Sequence, residues 1–158
     1  MNAAGLRRWT FGLGLLAVLS LLVALPLSAQ ENGDAAALNQ RVTTFLRNLE
    51  SKTRTAEETF TAFLADGRLR DRTQDIKKLV ESHAKLVAQY GPARSFEQVA
   101  ARNIGKDVYA LTYLAKTDTY PIVWYVTFYR APASDEKPAV WGVISLRFDT
   151  RVEDVPGK

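Results

Sequence analysis

The chain carries one histidine and no cysteine. Without thiols there is no disulfide, no thiolate metal site, no cysteine nucleophile and no lipid-bearing cysteine. His83 is the one side chain whose unperturbed pKa, about 6.5, suits general acid or base work near neutrality. It stands in the middle of an apolar stripe and has no partner close in sequence to orient it. It therefore reads as a core-edge histidine hydrogen-bonded to a neighbour, with catalysis as the alternative. A single His gives no metal-ligating cluster, and no Gly-rich phosphate loop, Gly-x-Ser-x-Gly elbow or paired-carboxylate motif is present. Asp107 and Asp149 fall at expected strand tips, where a carboxylate is ordinarily solvated. No cofactor and no metal are expected.

A second constellation is a candidate for binding. Gln98 and Arg102, the hydroxyls of Tyr109 and Tyr113, and Trp124 fall by strand alternation on a face otherwise meant for the core. An arginine among aromatic rings can hold a carboxylate or phosphate while the rings hold an apolar body. The plainer reading makes the first strand a sheet edge, with Arg102 snorkelling to water. On the opposite face, Tyr125 and Tyr129, continued by Tyr120, form an aromatic row suited to a protein contact.

These positions depend on a sheet. DVYALTYLAKT, YPIVWYVTFYR and AVWGVISLRFD, within Asp107–Asp149, read as three strands rich in aromatic and β-branched residues, and SFEQVAARNI at 95–104 reads as a fourth. Taking Gly105-Lys106 as a two-residue hairpin loop puts Arg102 opposite Tyr109, Ala100 opposite Leu111 and Gln98 opposite Tyr113. An even turn at Asp118-Thr119 pairs Ala115 with Ile122, Tyr113 with Trp124, Leu111 with Val126 and Tyr109 with Phe128. An odd turn would exchange the faces and bury less. The polar, Pro-bounded stretch 131–138 is a loop. Beyond it Val140, Ile144, Leu146 and Phe148 are expected inside, with Trp141, Val143, Ser145 and Arg147 outside.

Before the sheet the period is helical. Asp34 reads as an N-cap, followed by Leu38, Val42, Phe45, Leu46 and Leu49 along one stripe. A short helix runs from Thr55 through Phe60, Phe63 and Leu64 to Asp66-Gly67, and a third covers Thr73 to Tyr90 and stops at Gly91-Pro92. The chain is thus an α+β domain: two to three N-terminal helices packed on a curved four-stranded antiparallel meander.

Residues 1–29 have Arg7 and Arg8, an apolar run and the ending Leu27-Ser28-Ala29, the pattern of a secretory signal peptide. The alternative is an uncleaved membrane anchor. Residues 30–33 read as a short linker, 34–152 as the single domain and 153–158 as a flexible tail. Removing Arg7 and Arg8 from the 21 basic residues leaves 19 against 17 acidic ones, scattered without a patch. That balance excludes nucleic acid as a partner.

The order of helices and strands, with the phrases YPIVWYVTFYR and WGVISLRFD, resembles the nuclear transport factor 2-like superfamily. The resemblance implies a cone-shaped, pocketed scaffold whose members are isomerases, dehydratases, or non-catalytic binding and dimerisation modules. Fold alone does not choose among these. The expected function is an exported, periplasmic or secreted, non-catalytic binding module for a small anionic or amphipathic molecule or a protein partner. An isomerase- or dehydratase-type enzyme using the same pocket is one alternative, and a homodimeric envelope-associated domain joined through the outer sheet face is another. The protein recovered outside the cytoplasm is expected to have the intact mass of a chain beginning at Gln30. A membrane-bound species that keeps residues 1–29 would overturn this.

Overall fold

The computed structural model describes residues 27–51, 53–135 and 138–155. The leader expected at 1–29 lies outside the described residues as far as 26, and so do 156–158 of the expected tail. Three helices, α1 (Leu27–Glu50), α2 (Ala56–Leu64) and α3 (Thr73–Tyr90), precede four strands, β1 (Ser95–Asn103), β2 (Val108–Lys116), β3 (Ile122–Ala131) and β4 (Val140–Asp149). The strands form one antiparallel sheet in chain order. No helix among the described residues is long and apolar enough to cross a membrane.

Helix α2 begins where its sequence directs. Thr55 Oγ1 accepts from the Glu58 N–H at 3.2 Å, and the Glu58 carboxylate accepts from the Thr55 N–H at 2.9 Å, a reciprocal capping box. Helix α3 ends at Gly91, whose φ of 86° is left-handed and whose N–H donates to the Val87 carbonyl. Helix α1 differs from expectation. It runs from Leu27 through the stretch 30–33, and Asp34 lies inside the helix rather than at its cap. The Asp34 carboxylate instead accepts from Arg130 Nη1 and Trp141 Nε1, both at 3.1 Å, tying α1 to β3 and β4.

The β2–β3 register matches the even turn, with Ala115↔Ile122, Tyr113↔Trp124, Leu111↔Val126 and Tyr109↔Phe128. These residues are buried and form the inner face, packed by Leu38, Val42, Phe45 and Leu46 of α1 and Phe60, Phe63 and Leu64 of α2. The turn is held by Thr117, whose hydroxyl donates to the Tyr120 carbonyl at 2.7 Å.

Two other registers depart from simple alternation. The β1–β2 loop has three residues, Gly105, Lys106 and Asp107, and the Ile104 N–H donates to the Val108 carbonyl at 2.8 Å. Asp107 is not free to pair with Ile104: its carbonyl accepts from the Arg130 N–H and its carboxylate from Arg130 Nε. The odd loop moves the pairing by one, giving Asn103↔Tyr109, Arg102↔Ala110 and Ala101↔Leu111. A bulge at Val99 then restores Gln98↔Tyr113. Arg102 therefore stands on the outer face, not opposite Tyr109.

In β4 a second bulge makes Ile144 the extra residue between Thr127↔Ser145 and Phe128↔Val143. Val143 and Trp141 turn inward in place of Ile144 and Val140; Val140 is 48% exposed. Leu146 and Phe148 are inside, and Ser145 and Arg147 outside, as alternation predicts. Arg41 from α1 donates to the Trp141 carbonyl at 3.1 Å and the Phe63 carbonyl at 2.8 Å, joining three elements at the bulged end. Beyond β4, part of the expected tail is ordered as a 3₁₀ turn over Val152–Asp154.

The turn after α2 lies against the β4 backbone. A Cβ on Gly67 would sit 2.0 Å from the Val143 carbonyl oxygen, which is backbone and cannot yield, whereas a Cβ on Gly33 in α1 would meet nothing within 4 Å. Gly67→Ala is expected to lower stability by about 1–3 kcal/mol through overpacking. Gly33→Ala should raise it by about 0.5–1 kcal/mol as a helix-interior replacement. Thermal unfolding of the two variants checks the pair, and a neutral Gly67→Ala would contradict the close approach.

Candidate functional site

The inner face of the sheet is full. The Trp124 ring lies 5.7 Å from Phe45, 6.4 Å from Phe60, 5.7 Å from His83 and 4.4 Å from Phe148. Tyr109 and Tyr113 are buried beside it. The Tyr113 hydroxyl is held by the Asn39 side chain and by Thr43 of α1, and burial raises its pKa. Gln98 shares this face but stands exposed on the edge strand, which the helices leave uncovered. The expected pocket residues thus divide: three are core, one is at an edge, and Arg102 is on the other side of the sheet.

His83 is 7% exposed and packed by rings, with Phe60 at 6.1 Å, Trp124 at 5.7 Å and Phe148 at 6.1 Å. No carboxylate faces it. Burial alone lowers its pKa, since the low-dielectric surroundings disfavour the imidazolium. A base enclosed in this way lacks the substrate access that proton transfer requires. Among the described residues there is also no cluster of His, Asp and Glu able to hold a metal ion.

The outer face holds a trough of about 600 Å³ that draws on all four strands. Two cross-strand rows cross it. One runs Arg102, Ala110, Thr127, Ser145, and the other runs Ala100, Thr112, Tyr125, Arg147. Arg102, expected in the pocket, and Tyr125, expected at an interface, meet here. Arg102 makes no ion pair and no side-chain hydrogen bond among the described residues. The Arg147 guanidinium lies 3.7 Å over the Tyr125 ring and 3.5 Å from Asp149. Asp154, from the C-terminal turn, closes one side and pairs with Arg151 at 3.4 Å. The Tyr125 hydroxyl is buried without a partner, and its pKa is raised by burial first and by the charge of Asp149 second. Tyr129 is 41% exposed on the same face, outside the trough.

Thr112, Thr127 and Asp154 were not singled out from sequence, and Ser145 and Arg147 only as outward-facing. Period-2 alternation in β2 and β3 does place Thr112 and Thr127 outward. Nothing local signals that the outer face holds a trough. No family model matches the chain, and no curated protein is significantly similar to it.

Burial of His83 has a consequence for pH. Its folded-state pKa lies below the ordinary 6.5, so below about pH 6.5 the unfolded chain binds a proton that the folded one does not. Stability contributed by the neutral imidazole is therefore present above pH 6.5 and is lost as pH falls from there towards the folded-state pKa. One proton limits the slope to about 1.4 kcal/mol per pH unit. Urea unfolding at pH 7.5, 6.5 and 5.5 should show this loss in the wild type and a flatter profile in His83→Leu. Parallel profiles would mean that His83 titrates freely.

Proposed function

We propose that the protein is a non-catalytic binding module, working outside the cytoplasm, that holds a small anionic ligand on the outer face of its sheet. The observation that carries this reading is Arg102. It is a cation with no counter-charge at one end of a trough lined beyond it by the small side chains Ala110, Thr112 and Thr127 and, at the far edge, Ser145. A guanidinium so placed presents a fork of N–H donors that matches a carboxylate or phosphate. The volume of about 600 Å³ lies in the range of small-molecule sites. The filled inner face and the enclosed His83 weigh against an isomerase- or dehydratase-type enzyme. Three helices and an antiparallel four-stranded sheet are compatible with a nuclear transport factor 2-like scaffold, and that membership is part of the proposal.

A homodimer through the same face is the second reading, favoured by the exposure of Tyr129 at 41% and Val140 at 48%. It would close the trough at one end. Sedimentation of the protein at micromolar concentration tests this second reading, which a monomer would overturn.

Thermal-shift titration with a series of small carboxylates tests the site. Arg102→Met is expected to remain folded and to weaken binding about tenfold or more, the worth of a charge-assisted hydrogen bond. Gln98→Met, on the inner face, should leave binding unchanged. The opposite ranking would return the site to the inner face.

A further inference from the structure

The trough's chemistry is more specific than a capacity for anions. Thr112, Thr127 and Ser145 place three hydroxyls along it, and none has a hydrogen-bond partner among the described residues. Thr112 is only 8% exposed as a residue, but its hydroxyl is not among the buried unpartnered atoms, so it is open to the trough. The Tyr125 hydroxyl, on the neighbouring strand, is buried and unpartnered.

The charges are equally selective. Arg147 is offset by Asp149 at 3.5 Å and Asp154 by Arg151 at 3.4 Å, which leaves Arg102 as the one uncompensated charge lining the trough. One net positive charge matches a single anionic group. Strands in a sheet are about 4.8 Å apart, so Thr127 lies roughly 10 Å from Arg102 along its row and Ser145 roughly 14 Å. Ala110 between them has no bulk to obstruct the Arg102 side chain as it leans inward. A ligand whose carboxylate meets Arg102 therefore lays its body over the hydroxyl-bearing side chains.

Resting on the reading of this trough as the binding site, we propose that its ligand is a polyhydroxylated monocarboxylate of the sugar-acid class, free or as an acidic residue of a glycan. The carboxylate is held by Arg102, and the ligand's hydroxyls exchange hydrogen bonds with Thr112, Thr127 and Ser145, with the Asp154 carboxylate as a further acceptor. An aliphatic acid would satisfy Arg102 but offer the three protein hydroxyls nothing in place of the water it displaces. A site built to hydrogen-bond a hydroxyl discriminates against analogues that lack it.

The test is calorimetric titration of the purified protein with D-galacturonate, hexanoate, D-galactose and trigalacturonate. D-Galacturonate is expected to bind at least about tenfold more tightly than hexanoate or D-galactose, each of which offers half of the recognition. The double variant Thr127→Val, Ser145→Ala should weaken D-galacturonate about tenfold and leave hexanoate unchanged, whereas Arg102→Met should weaken both acids. Amide shift perturbation in the wild-type protein, which needs no variant to fold, should centre on Thr112, Thr127 and Ser145. Tighter binding of trigalacturonate identifies a glycan as the source and equal binding a free acid, and either result supports the class. Hexanoate bound as tightly as D-galacturonate would overturn this inference while leaving the anion-binding reading intact. Failure of every acid to bind would overturn both.

Discussion

Trp124 is where the layers of the molecule meet. Its indole packs against Phe45 of α1, Phe60 of α2, His83 of α3 and Phe148 of β4, so one side chain in the middle of the sheet touches every helix. Phe45 also stacks on Phe63 at 4.0 Å, extending the aromatic cluster along the helices. Interiors pack to crystal-like density, so a face filled in this way has no room for a ligand. The cluster holds the fold together and leaves the opposite surface of the sheet uncovered by helices.

That surface owes its form to two bulges. Each adds a residue to an edge strand, deepens the local twist and changes which side chains point outward. The bulge at Val99, with the three-residue loop beyond it, brings Arg102 out beside Ala110. The bulge at Ile144 turns Val143 and Trp141 inward while keeping Ser145 and Arg147 outside. Both lie on edge strands, where a lost ladder bond costs least and where an irregular outline hinders edge-to-edge pairing with another chain.

Charge holds the ends of the sheet. Arg130 lies over the Trp141 ring and bridges Asp34 of α1 to Asp107 of the β1–β2 loop, joining helix, hairpin and edge strand through one guanidinium. At the other end Arg94 grips Asp118 with two bonds, at 2.8 and 3.1 Å, and the Thr119 hydroxyl donates to the Tyr90 carbonyl, fastening α3 to the β2–β3 turn. Exposed pairs such as Arg94–Asp118 contribute little stability singly. Their effect is positional, because they fix the loops whose lengths decide the registers.

Local features of the chain were enough to establish the helices after α1, the four strands and the faces of β2 and β3. Thr55 and Glu58 make their cap within four residues, Gly91 ends α3, and the turn at Thr117–Tyr120 is built from its own side chains. Such features are legible because they rest on neighbours in sequence. The α1 start, the face of Arg102 and the inner side of β4 were not legible, and each failed for one reason. Asp34 is claimed by Arg130 and Trp141, about a hundred residues away; Asp107 is claimed by Arg130 before it can close a tighter hairpin; and β4 is displaced where the Gly67 turn and Arg41 press on it. Alternation has a period of two, so one inserted residue reverses every assignment beyond it until a second restores the phase. The sequence alone therefore determined which residue types could bind an anion. Alternation already placed Thr112, Thr127, Ser145 and Arg147 outward; only long-range contacts, through the loop length and the bulge in β1, decided that Arg102 joins them on that surface.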